Sequence, residues 1–153
     1  MKSKTQLFIA LWQEGRTRFT KQLDLIIEND LKKKLATSPN SLGFLIRHIS
    51  DVELLFTKNI FGASEVKVIA KTVITKKDTG EWTNLSELKE YSHYAYQNLL
   101  AILEKQTDTD WDTSITTSEF GTKTKAEALG RIVSHTAYHA GQMSIINKYG
   151  TSS

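Results

Sequence analysis

The chain has 153 residues, with 20 basic and 17 acidic side chains and a formal net charge of +3. That length suits one compact domain over residues 1–153, and the positive excess is too small and scattered to argue for nucleic acid: the only lysine runs are Lys32-Lys33-Lys34 and Lys76-Lys77, both in predicted loops. Absence of cysteine excludes disulfides, a thiolate nucleophile and cysteine-ligated zinc; no apolar run reaches the roughly 18 residues of a membrane span, and no apolar signal core follows Met1-Lys2-Ser3-Lys4, so the cytoplasm is the default expectation.

The first predicted helix runs from about Thr5 to Asn29. Leu7, Phe8, Leu11, Trp12, Phe19, Leu23, Ile26 and Ile27 recur at helical spacing, with Arg16, Arg18, Lys21 and Asp24 between them. Gly15 weakens it by about 1 kcal/mol against alanine, which the continuing pattern outweighs. Trp12 reads as plain core. The polar, basic stretch from Asp30 to Thr37 reads as a loop.

Ser38 as cap and Pro39, the only proline, as first helical residue predict a second helix reaching Phe61, stopped by Gly62. Its stripe is Leu42, Leu45, Ile46, Ile49, Val52, Leu55 and Phe56, and His48 lies on it. Asp51 follows three residues later and reads equally well as a partner orienting His48 or as a solvated carboxylate. Glu53 falls on another face and reads as solvated.

From Ala63 to Thr83 no helical period holds. The β-branched clusters Val66, Val68, Ile69 and Val73, Ile74, followed by the turn Lys77-Asp78-Thr79-Gly80, predict an extended crossover with a short strand. Its length lets the next helix run parallel to the second. That third helix spans Asn84 to Gln106, opened by Asn84 and Glu87 and striped by Leu85, Leu88, Tyr91, Ala95, Leu99, Ile102 and Leu103. His93 sits off the stripe and reads as a rim histidine. Between Asp110 and Lys123 the residues alternate, and Ser118-Glu119-Phe120-Gly121 predicts a short hairpin. Thr124-Lys125-Ala126-Glu127 is a capping box opening a fourth helix that ends at Tyr149 before Gly150. Helices of about 20 residues span roughly 30 Å each, so the expected fold is all-α, a four-helix bundle with a long crossover between the second and third helices and a hairpin before the fourth.

The fourth helix carries His135 and His139, which its i, i+4 geometry places on one face. Ile132, Val133, Ala140, Met143 and Ile146 surround them, so the pair points inward, where an isolated pair would read as helix surface. With His48 they make a three-nitrogen set in a bundle core. Three protein ligands leave positions open for water or substrate, the pattern of a catalytic site. Imidazole suits zinc, nickel, iron or copper, so ligand type does not choose the metal. Binding is expected to weaken as pH falls through about 6.5, because a ligating imidazole must be neutral. Gln142, three residues after His139, reads as a second orienting partner or a solvated residue; Tyr138 lies on an adjacent face suited to an interface.

The segment Ser41-Leu42-Gly43-Phe44-Leu45-Ile46-Arg47-His48-Ile49, together with His135-x3-His139-x-Gly141-Gln142, resembles the DinB-like superfamily of metalloenzymes. The resemblance implies an up-down-down-up four-helix bundle, one divalent metal per chain (zinc, nickel, iron or manganese) on His48, His135 and His139, and frequent dimers. Some members are thiol S-transferases or isomerases using bacillithiol, mycothiol or glutathione, and many have no established activity. The expected function is therefore a metal-dependent transfer of a low-molecular-weight thiol to a small electrophile. A non-catalytic metal or small-ligand binding module is the alternative, and a metal-assisted hydrolase lacks a confident general base. A homodimer is expected, because the apolar arc of the first helix is wide and Tyr91, Tyr94 and Tyr96 surround the third.

Overall fold

Ser3 opens helix α1 (Lys4–Leu25) with a reciprocal cap: its hydroxyl accepts from the Gln6 amide, and the Gln6 side chain accepts from the Ser3 amide. The molecule is described by a computed structural model over residues 1–152. α1 ends earlier than its apolar pattern predicts. Ile26 and Ile27 are extended, and a 3-10 turn over Glu28–Lys32 follows, pinned by the Asp30 carboxylate accepting from the Ile27 amide. The bend buries both Ile26 and Leu31, which a straight continuation of the helix would separate.

Helix α2 (Leu42–Asn59) starts at Ser41 and not at Pro39: the Ser41 hydroxyl accepts from the Phe44 amide, while Asp78 accepts the Ser41 amide. The crossover forms no strand. It carries a short helix, α3 (Lys71–Thr75), closed by Lys76 in the left-handed region at φ 54°. Helix α4 (Leu85–Glu104) is capped by Asn84, and strands β1 (Ser114–Thr117) and β2 (Gly121–Thr124) form the expected antiparallel hairpin. Helix α5 (Lys125–Tyr149) opens on the predicted Thr124–Glu127 box.

Helix directions follow from which residues meet. Gly43 lies against Trp82 and Asp51 against Tyr91, so α2 and α4 run parallel. Thr5 reaches Gln106, Gln13 reaches Tyr96 and Arg16 reaches Ser92, so α1 is antiparallel to α4. Thr5 and Lys125, at the starts of α1 and α5, both reach Gln106, Gly15 meets Val133 farther along, and Lys33 beyond α1 reaches Asn147 near the end of α5, so these two helices are parallel, and they form the most extensive pairing. The bundle is up-down-down-up. A β-carbon at Gly15 would stand 2.7 Å from Val133, so the glycine that weakens α1 in isolation permits its close approach to α5.

Two large apolar clusters fill the interior, one around Phe19, Leu45, Ile46 and Met143, the other around Trp12, Leu99, Trp111 and Ile132. Glu53, read from sequence as solvated, is fully buried and bonded twice to Arg16, at 2.9 and 3.1 Å; Arg16 also donates to the Ser92 carbonyl and hydroxyl. The face opposite the histidines is occupied here because a cation from α1 meets it, a pairing invisible within α2. Removing one partner of such a pair leaves an uncompensated buried charge. Glu53→Ala is expected to lower unfolding free energy by about 3–5 kcal/mol, measured by urea denaturation, with far less loss for the exposed Glu65→Ala.

Candidate metal centre

The antiparallel seam of α2 and α5 brings His48 opposite His135 and His139. All three are half-buried, and one ring nitrogen from each lies within 4.8 Å of the others. The His48 and His135 Nε2 atoms are 3.1 Å apart, and the ring centroids of His135 and His139 are separated by 4.4 Å. Two nitrogens each about 2.0–2.1 Å from a zinc ion stand roughly 3.0–3.4 Å apart for angles between square and tetrahedral. The observed separation is an edge of that size. Two nitrogens this close need a positive centre between them, either an N–H from the Nε2–H tautomer of His135 or one metal ion accepting both lone pairs. The donor set fits a divalent transition metal.

The surroundings orient these rings. Asp51, fully buried, accepts four hydrogen bonds: from Arg47 Nε at 2.9 Å, the Tyr91 hydroxyl at 2.7 Å, the Thr72 amide at 3.2 Å and the Thr72 hydroxyl at 2.7 Å. Burial, then Asp51, pushes the Tyr91 phenol well above its usual range, so it stays a donor. Because the Thr72 proton is committed to Asp51, its oxygen is left to accept from His48 Nδ1, 3.1 Å away. His48 is thereby held as the Nδ1–H tautomer with Nε2 bare and facing His135. At His139, Nδ1 donates to Gln142 Oε1 at 2.6 Å, which frees its Nε2 in the same way.

Burial lowers the basicity of the cluster. His48 is pushed down to about 4 by burial and then by His139, against a smaller opposing pull from Asp51. His135 falls to about 3 through burial, with His139, His48 and Arg131 adding repulsion. His139 is lowered by burial, partly offset by Gln142. Proton competition for the nitrogens thus moves below the 6.5 expected of free imidazole, and at neutral pH the rings are neutral.

The three histidines singled out from sequence come together, and Gln142 and Asp51 both support them, Asp51 through Thr72 and not by direct contact. His93 is exposed on α4, in the groove with Gln13 and Arg16. Thr72 carried no signal in the sequence, because only the folded crossover brings it to α2. In the sequence Arg47 stands out only within the family-like motif and Tyr91 only as a stripe and surface residue, neither as part of the site; Arg47 stacks 3.6 Å from the Tyr91 ring centroid while bonding Asp51.

Comparison with known proteins agrees with this architecture. The profile described as the DinB superfamily matches residues 11–143. Among solved structures, that of a mycothiol-dependent maleylpyruvate isomerase superposes with a TM-score of 0.72 at 15% identity, covering 94% of this chain and 63% of the other. That of its histidine-to-alanine mutant gives 0.73 at 14% identity with the same coverage. The chain therefore spans about 63% of the length of those proteins. A search of curated proteins finds no significant match.

The Thr72 relay has a direct test. Thr72→Val removes the oxygen that fixes the His48 tautomer and is expected to weaken zinc binding about 10–100-fold, measured by competition with a chromogenic chelator. Thr72→Ser keeps the oxygen and should restore most of the affinity. Equal affinity in the valine and serine variants would show that the relay does not orient His48.

Proposed function

The chain belongs to the DinB superfamily, and from that premise we propose that it is a divalent-metal-dependent enzyme that joins a low-molecular-weight thiol to a small electrophile, with His48, His135 and His139 holding one ion per chain. The observation that carries the reading is a three-imidazole cluster with no fourth histidine or carboxylate in the group among the described residues. Such a set leaves room for exogenous ligands. A divalent ion there supplies a Lewis acid that takes a thiol in its deprotonated form.

The chain's own residues fit the remaining tasks. With no cysteine, the thiol is a cosubstrate. The rings of His48 and His135 stay neutral above about 4 and 3, so their lone pairs are available at physiological pH. Val52 and Phe56 form the apolar wall of a cavity of about 360 Å³ that reaches His135, which gives an electrophile a place beside the cluster and favours an enzyme over a passive binder. The mycothiol dependence of the isomerases of similar fold supports the thiol class. No helix among the described residues is long and apolar enough to cross a membrane. We place the reaction in the cytoplasm, where small thiols are kept reduced.

The test is a panel of small thiols with a chromogenic aryl halide, using chain reconstituted with zinc, nickel, iron or manganese. The expected result is thiol-dependent turnover and one ion per chain, both lost in His139→Ala and retained in His93→Ala. Turnover that ignores the thiol, or metal binding equally impaired in both variants, overturns the assignment.

The reading extends to a homodimer. Tyr91, Tyr94 and Tyr96, which suggested surplus surface on the third helix, are used internally: they donate to Asp51 and the Lys67 carbonyl, and accept from Gln13. Of the exposed large apolar residues, Leu7, Leu11 and Leu25 lie on α1 and Tyr138, Ile145 and Tyr149 on α5, while Ile27, Leu35, Ile69 and Ile74 lie outside these two helices. Apolar side chains gathered on two adjacent helices suit a two-fold contact. Sedimentation equilibrium at micromolar concentration should give twice the chain mass, and Leu11→Glu should shift it to the monomer.

A further inference from the structure

The cavity beside the histidines has a charged feature that metal binding leaves unused. Arg131, Ser134, His135 and Tyr138 are spaced i, i+3, i+4 and i+7 along α5, so they form one stripe of its wall. Arg131 stands one turn before His135, about 6 Å along the axis. Its guanidinium lies over the Phe120 ring at 5.5 Å, and Phe120 is braced by Phe56 at 6.0 Å. A ring contact takes up no N–H donor in a hydrogen bond, so the guanidinium keeps its donors for a ligand. The Arg131 carbonyl accepts from the Ser134 hydroxyl, but among the described residues its guanidinium has no hydrogen bond or ion pair. Glu119, from the hairpin turn, shares the cavity without pairing with it.

We propose that this cavity binds a small monocarboxylate, with its carboxylate on the Arg131 edge, its apolar body against Val52 and Phe56, and its other end directed at His135. A planar fork of N–H donors matches two coplanar oxygens. The cavity wall offers no second cation for a phosphate, and Glu119 opposes a second negative charge. The class assigned to the electrophile rests on the proposed reaction; the carboxylate site itself needs neither metal nor thiol.

The experiment therefore uses the metal-free chain. Amide shifts of the 15N-labelled protein are followed on titration with benzoate, benzamide, benzylamine and phthalate. Saturable shifts with benzoate at Arg131, Ser134 and Phe56 are expected, at least 10-fold weaker in Arg131→Gln. Phthalate should bind poorly and improve in Glu119→Gln. Because Arg131 is exposed, the glutamine variant is expected to fold, and its unchanged spectrum elsewhere verifies that. Benzamide or benzylamine binding as well as benzoate, or benzoate binding unchanged in Arg131→Gln, overturns the proposal. Failure of thiol transfer with benzoate binding intact would instead remove only the reaction assigned above.

Discussion

A single buried carboxylate governs the site. Asp51 is on α2, inside the bundle, and a charge there is tolerable only when its oxygens are fully bonded. The partners come from three elements: Arg47 one turn earlier on α2, Tyr91 on α4 and Thr72 on α3. Satisfying Asp51 therefore draws the long crossover against the bundle and aligns α4 with α2. The same bonds place the Thr72 oxygen at His48 Nδ1, so neutralising the carboxylate and orienting the imidazole are one event. Arg47 also lies between aromatic rings, 3.6 Å from the centroid of Tyr91 and 4.9 Å from that of Trp82, which fixes the cation while it bonds Asp51.

Arg16 and Glu53 solve a second problem of the same kind across α1 and α2, with Ser92 of α4 joining them. A buried ion pair stabilises no more than well-packed apolar groups of equal volume would, and often less. Its distinctive requirement is geometric: apolar stripes tolerate sliding by a turn, whereas the two N–H···O bonds of this pair form in one register. Gly15 against Val133 sets a similar condition on the α1–α5 side by steric closeness. The histidines on α2 and α5 thus belong to helices whose alignment is set by contacts on other faces.

The site divides its polar and apolar work between the two helices. α5 supplies a continuous stripe containing Arg131, His135 and Tyr138, while α2 supplies His48 and the apolar wall of Val52 and Phe56. Burial keeps the imidazoles neutral by penalising their charged form, and the mutual repulsion of would-be imidazolium groups acts in the same direction. The arrangement holds lone pairs ready at neutral pH without a buried anion among the ring nitrogens.

The four long helices, the hairpin and the three histidines could be read from the sequence because each is a local pattern, whereas the short helix α3 in the crossover could not. Apolar residues at helical spacing, the Thr124–Glu127 box and the four-residue step from His135 to His139 depend only on the chain within a few turns. Local pattern misplaced the ends of α1 and α2, where burial of Leu31 and the Ser41 cap decide the boundary. It missed the buried state of Glu53, because its partner Arg16 lies 37 residues away, and it left Asp51 undecided because Thr72 and Tyr91 come from the crossover and α4, 21 and 40 residues on. The sequence alone determined which side chains can bind a metal and which helix faces they occupy, since helical geometry is set by the backbone. Tertiary structure decided which ring nitrogen faces the cluster, which charges are buried and where Arg131 stands relative to the cavity, because those properties depend on partners that only packing brings within hydrogen-bonding distance.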